Sequence, residues 1–229
     1  MITFEHVSKR YPGDSSALLD INFHIDAGEM VFLTGHSGAG KSTLLRLILM
    51  LERATSGQVV VNGRNLSKTP ARLTPQVRRQ IGMIFQNHML LSDKTVFDNV
   101  SLPLIIAGMR YGEIRKRVRA VLNKVGLLSK EKAWPLMLSG GEQQRVGIAR
   151  AIVGMAPVLL ADEPTGNLDP QLSQELFDLF RQLNQQGVTV LIASHDLALI
   201  RSMGQRVLVL SAGQLIDDIP AVIAGGERG

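Results

Sequence analysis

The chain has 229 residues, long enough to bury an apolar core without covalent or metal staples. With 45% hydrophobic and 20% charged residues and a formal charge of +5, it reads as globular, outside the disordered and collagen-like classes. The absence of cysteine excludes a disulfide framework, thiolate metal centres and a cysteine nucleophile, and leaves the redox compartment open.

The opening MITFEHVSKRYPG sets Glu5 and His6 where a secretion signal needs an unbroken apolar stretch, so a mature cytoplasmic start is expected. Strand-like runs at Thr3 to Val7 and Asn22 to Ile25 flank Tyr11-Pro12-Gly13-Asp14, a turn suited to an antiparallel hairpin. Further runs fall at Met30 to Thr34, Gln58 to Val61, Ile81 to Phe85, Val158 to Ala161, Val188 to Ala193 and Arg206 to Leu210. Helical spacing at Lys41 to Leu51, Gly141 to Met155 and Gln171 to Gln186, each followed by a strand, predicts an α/β fold. Its sheet is expected to be mainly parallel with crossover helices, beside the N-terminal antiparallel region. Val96 to Val125 reads as consecutive amphipathic helices with no strand between them, a helical insert. The residues after Pro220 are expected to fray. The most apolar runs, Leu44 to Leu51 and Leu102 to Ala107, fall well short of the ~20 residues that span a bilayer. Basic residues are scattered and aromatics make up 4%, so no platform for stacking nucleic-acid bases is expected.

Met30 to Thr34 runs straight into Gly35-His36-Ser37-Gly38-Ala39-Gly40-Lys41-Ser42, which fits G-x4-G-K-[ST] between a strand and a helix. Glycines at 35, 38 and 40 let the loop turn its N–H groups inward, and the helix start adds its positive end to a polyanion site. Lys41 then reaches terminal phosphates, Ser42 offers a hydroxyl to Mg²⁺, and Thr43 can bond a phosphate oxygen. Val158 to Ala161 ends in Asp162-Glu163, at the strand end where open parallel sheets bind ligands. Asp162 suits Mg²⁺, directly or through water, and Glu163 suits polarising an attacking water. Leu138-Ser139-Gly140-Gly141-Glu142 opens a second helix start with Ser139 in the cap region. One nucleotide uses both helix starts if two copies of the chain face each other across ATP.

The set formed by Gly35 to Ser42, LSGGEQQ at 138 to 144, LLADE at 159 to 163 and His195 resembles the ATP-binding cassette ATPases over nearly the whole chain. The resemblance implies the cassette type of phosphate-loop fold, a nucleotide-binding domain over 1–229 with a helical subdomain at about 87–156. It implies ATP hydrolysis with Mg²⁺ and a homodimer closed across ATP. It further implies that Gln86 ligates Mg²⁺, that His195 contacts the terminal phosphate and that Tyr11 stacks on adenine. Asn167-Leu168-Asp169 would reach across the dimer, and Ser139, Gly140 and Gly141 would close on the other subunit's ATP.

Within that family, the segments Phe32 to Gly40, Arg78 to Gln86, Thr95 to Val100, Leu104 to Gly108 and Ala161 to Asp169 resemble the FtsE cell-division branch. That implies an FtsX-like membrane partner, peripheral contact with the cytoplasmic face of the inner membrane at the septum, and control of cell-wall hydrolysis. Lipoprotein-releasing and macrolide-export cassettes are close relatives. A soluble ATP-gated clamp on nucleic acid lacks its usual coiled coils, zinc elements or tandem cassettes here, and a small-molecule kinase leaves LSGGEQQ unexplained. Met50 and Ala54 stand where relatives carry glycine and proline, and Ser211-Ala212-Gly213 replaces a common Asp-Gly turn. Arg115, Lys116, Arg117 and Arg119 fall on one insert helix, near where the family meets its membrane subunit.

Overall fold

The computed structural model describes residues 1–13, 15–166 and 168–222. Asp14 of the first turn, Asn167 and the final residues after 222 lie outside them. The chain opens with β1 (Ile2–Tyr11) and β2 (Ser15–Ile25), which pair antiparallel from Ile2 opposite Ile25 to Tyr11 opposite Ser15. Both strands are longer than the apolar runs suggested, because their outer halves alternate polar residues against a buried face.

Strand β3 (Met30–Thr34) is buried along its whole length and leads through the glycine loop into α1 (Lys41–Ile48). The next strands, β4 (Ser56–Val61) and β5 (Arg64–Asn65), correct the crossover expectation for this part of the chain. They join β1 and β2 in an antiparallel sheet of order β2-β1-β4-β5 and take no part in the parallel sheet. Periodicity gives a strand's existence but not its partner, and Ile2, Phe4, Val59 and Val61 line up to bury one shared face.

A short helix α2 (Thr74–Arg78) precedes β6 (Ile81–Ile84). Between β6 and the next strand of the main sheet lie α3 (Val96–Ile106), α4 (Tyr111–Lys124) and, after two 3-10 turns, α5 (Gly140–Ile152). The chain then runs through β7 (Val158–Asp162), α6 (Pro170–Gln185), β8 (Thr189–Ala193), α7 (Leu197–Met203), β9 (Arg206–Ser211) and β10 (Gln214–Ile219). The main sheet has the order β10-β9-β3-β8-β7-β6, with every pairing parallel except β9 with β10.

Alternation sorts the two faces of this sheet. Phe32, Leu159, Ala161, Val190 and Ile192 point to one core with Val100, Val118, Val146, Phe177 and Phe180 from the helices. Val31, Leu33, Leu160, Leu191 and Ala193 point to another with Leu44, Ile48, Phe4 and Ile21. Burial on both faces explains the unbroken apolar runs of β3 and β8. Edge strand β10 carries no apolar run in the sequence because Asp217 and Asp218 lie exposed in it, as edges tolerate. Among the described residues, no helix is long and apolar enough to cross a membrane.

Candidate functional site

Strands β3, β8, β7 and β6 end at the same edge of the parallel sheet, so their following residues converge there. At ~4.8 Å per strand, the ends of β3 and β7 stand roughly 10 Å apart with β8 between them, and the start of α1 closes that gap by bringing Ser42 to Asp162. His195 follows β8 and Gln86 follows β6. One cavity of about 280 Å³ is lined by Ser37 to Thr43, Gln86, Asp162, Glu163, His195 and Ala17 of β2. Ala17 carries no signal in the sequence; it arrives because β2 packs on the glycine loop.

The loop has left-handed or open φ values at Gly35 (147°), Gly38 (78°) and Gly40 (108°), as the glycine spacing implied. Gly40 occupies the N-cap of α1, and no side chain caps that helix among the described residues. The α1 N–H groups therefore face the cavity with the positive end of the helix dipole, a geometry that accepts an oxyanion. Lys41 is buried, and its Nζ donates to the carbonyls of Gly35 at 2.6 Å and His36 at 3.3 Å. These contacts hold the ammonium over the loop. The His36 ring reaches Ser211 Oγ at 3.3 Å.

Burial pushes the Asp162 carboxyl above the ordinary aspartate range, a hydrogen bond from Ser42 opposes this, and neighbouring Glu163 adds to it. Ser42, Asp162 and Gln86 together offer hydroxyl, carboxylate and amide oxygens, the donor types a hard divalent cation takes. No group of three His, Asp or Glu side chains suited to a metal occurs among the described residues. A cation here would complete its shell from phosphate and water.

Glu163 has φ 47°, left-handed and costly by about 1–2 kcal/mol for a side-chain-bearing residue. Its N–H donates to the Ala193 carbonyl at 2.9 Å, pinning it to the end of β8. Its Oε2 lies 2.8 Å from His195 Nδ1; the glutamate is largely covered and the imidazole is open to solvent. The two residues belong to separate motifs, both expected at the terminal phosphate; their direct contact is what the structure adds. Asp196, the next residue, caps α7 through the N–H of Leu199, which frees His195 from that duty.

The remaining expected residues sit outside the cavity. Ser139 caps α5 in a reciprocal box: its Oγ accepts from Glu142 N at 3.3 Å, and Glu142 Oε2 accepts from Ser139 N at 2.9 Å. A hydrogen bond from Lys130 and the Ser139 N–H hold the Glu142 carboxyl below its usual range. Ser139 and Gly140 are exposed and do not face Lys41's cavity in the same chain. Asp169 caps α6 through Leu172 N at 2.9 Å, while Asn167 lies outside the described residues. Tyr11, at the end of β1, lies below Lys9 Nζ at 5.1 Å and 3.5 Å from Thr43 Oγ1, beside the cavity but not lining it. Buried Gln144 of α5 donates to the Pro164 carbonyl at 2.7 Å, tying the serine-capped helix to the segment after Glu163.

A family model described as "ABC transporter" matches residues 18–166. The chain belongs to the ATP-binding cassette family. As a cassette it binds and hydrolyses ATP. It is 58% identical over 215 residues to the cell division ATP-binding protein FtsE of Escherichia coli K12, covering 94% of this chain and 97% of that protein. FtsE of Mycobacterium tuberculosis is 49% identical over the whole of both chains. The dimeric structure of the MJ0796 cassette superposes with a TM-score of 0.90 at 36% identity, covering 95% of this chain and 97% of that one.

Proposed function

We propose that the chain works as the ATPase subunit of a bacterial cell-division complex, in which two copies close head to tail over two ATP molecules. The observation that carries the chemistry is the single cavity shared by Lys41, Ser42, Gln86, Asp162, Glu163 and His195. The near full-length likeness to FtsE supports the biological setting. In this reading the segment from about 87 to 156 is the helical subdomain of one cassette spanning 1–229.

Gly35 to Gly40 and the α1 N-terminus receive the phosphates, Thr43 bonds a phosphate oxygen, and Tyr11 stacks on adenine. Lys41 turns its ammonium from the loop carbonyls to the terminal phosphates. Ser42, Gln86 and Asp162 hold Mg²⁺, which neutralises charge on the phosphate oxygens when bound. Glu163, fixed by its backbone bond to Ala193, accepts a proton from the attacking water, and His195 steadies the terminal phosphate from the β8 side. Ser139, Gly140 and Gly141 of the second copy cover that phosphate, and Asp169 lies in the loop that meets the partner. Catalysis is then mostly positioning and charge stabilisation, where one preorganised donor is worth ~3 kcal/mol.

An FtsX-like integral membrane protein is the proposed partner, at the cytoplasmic face of the inner membrane and the septum. There, closure and release of the dimer would control cell-wall hydrolysis outside. The test purifies tagged Glu163→Gln with ATP from solubilised bacterial membranes and identifies what accompanies it by mass spectrometry. A stoichiometric FtsX-like protein is expected. A lipoprotein-releasing or exporter permease would keep the ATPase and overturn the division role; ribosomal or DNA-bound material without a membrane protein would overturn the membrane complex altogether.

A further inference from the structure

The connection between α3 and α4 carries an apolar and basic surface that the ATPase site does not use. Helix α3 closes at Gly108 (φ 74°), with Gly108 N donating to Ile105 O at 2.9 Å and Met109 N to Leu104 O at 3.1 Å. This closure draws Leu104 into the core and leaves Ile105 and Ile106 outside, 54% and 64% exposed. Tyr111, the first residue of α4, is 70% exposed, with its ring centroid 6.5 Å from that of Phe97. A tyrosine anchored at one edge and open at the other suits a boundary between hydrocarbon and water.

Exposed Arg110 precedes Tyr111, exposed Arg115 follows it by one turn, and exposed Lys116 comes next on the more outward side of α4; none has an acidic partner among the described residues. The neighbouring cations are engaged: Arg117 bonds Glu113 at 2.9 Å, and Arg119 reaches Glu131 at 3.5 Å. Residues 111 and 115 lie one turn apart on one face of α4, so the free charge begins where the apolar side chains end. The N-terminus of α4 has no side-chain cap, and the one acid of its first turn, Glu113, is paired with Arg117. An apolar tip flanked by three unpaired cations and one paired acid complements a surface that is negative outside and greasy beneath.

We propose that the α3–α4 tip touches an anionic phospholipid bilayer directly, with Ile105, Ile106 and Tyr111 entering the headgroup layer and Arg110, Arg115 and Lys116 binding lipid phosphates. The inference rests on the membrane setting proposed above, but it concerns lipid contact made without any protein partner. A scattered solvated face explains the charges alone. It does not explain two isoleucines and a tyrosine left bare beside them.

The experiment floats the full chain, without a membrane partner, on phosphatidylcholine vesicles with or without phosphatidylglycerol. The wild type is expected to bind the vesicles containing phosphatidylglycerol and not the neutral ones, with binding lost as salt rises. Arg115→Ser combined with Lys116→Ser is expected to bind about 30-fold more weakly. Ile105→Ser combined with Ile106→Ser should lose retention on anionic vesicles, with ATP hydrolysis in solution unchanged as the check that it folds. Ile106→Trp in a Trp134→Phe background reports depth: its emission should shift to the blue on anionic vesicles. A wild type that ignores both vesicle types overturns the proposal, and so does binding during which the emission of the Ile106→Trp variant stays unshifted. If that protein still co-purifies with a permease, the tip meets protein and the proposed function stands.

Discussion

Replacing Gly40 with alanine isolates how closely the antiparallel sheet presses on the phosphate loop. A methyl at this position would lie 2.7 Å from the Ala17 carbonyl oxygen and 2.7 Å from Leu18 Cδ2, with φ at 108°. The strained φ costs about 1–2 kcal/mol. The carbonyl is backbone, in β2 at an irregularity of its pairing with β1, and yields less readily than a side-chain end, so overpacking adds about 1–3 kcal/mol. The sum of roughly 2–5 kcal/mol lowers the melting temperature by roughly 4–20 °C, at about 2–4 °C per kcal/mol for a chain of this length. Gly38 is the matched control, since its φ is 78° but nothing lies within 4 Å of an added methyl. Gly38→Ala should therefore cost only the backbone part. The assay is urea and thermal unfolding of both variants without nucleotide, so that lost ATP binding does not enter. Equal destabilisation of the two would refute the close approach of β2 to the loop.

Glu163→Gln should keep ATP, slow hydrolysis about a hundredfold and accumulate as a nucleotide-bound dimer; an undiminished rate by phosphate release would remove Glu163 from the chemistry. Asp162→Asn separates stability from function. Burial holds the native carboxyl above its unfolded value, so the folded state binds the extra proton and nucleotide-free stability falls as pH rises through that raised range. The asparagine variant should lack this loss at neutral pH while forfeiting stabilisation by ATP with Mg²⁺, about 2.7 kcal/mol at a hundred times Kd. A variant that melts lower without nucleotide, or retains the ligand shift, contradicts the assignment. Ala212→Asn should raise stability by ~1 kcal/mol in urea unfolding, because Ala212 has φ 46° in the exposed β9–β10 turn that asparagine tolerates better. An unchanged or lower midpoint would count against the turn geometry.

Much of the site was legible because its chemistry lies in contiguous motifs at strand ends. Gly35 to Thr43 and Asp162-Glu163 each announce themselves locally, and the parallel sheet then brings them together. What the sequence withheld are relations between distant segments. Nothing local shows that β4 leaves the crossover pattern for β1, that Ala17 lines the cavity, or that Glu163 meets His195. Met50 illustrates a partial signal. Its departure from the family's usual glycine is visible in the sequence, and the structure supplies the reason it matters: the residue has φ 52° just after α1, with its side chain buried. Glycine would ease the backbone there and forfeit the packing.

The buried bond from Gln144 to the Pro164 carbonyl makes two parts of the chain one lever. Pulling α5 away from the segment after Glu163 would strand an amide donor in the interior, at about 1–3 kcal/mol. In the proposed dimer each chain's Glu163 attends one ATP while its Ser139 covers the other. In that arrangement a shift at either nucleotide would have to carry or break this one bond, which makes it a mechanical link between the two sites.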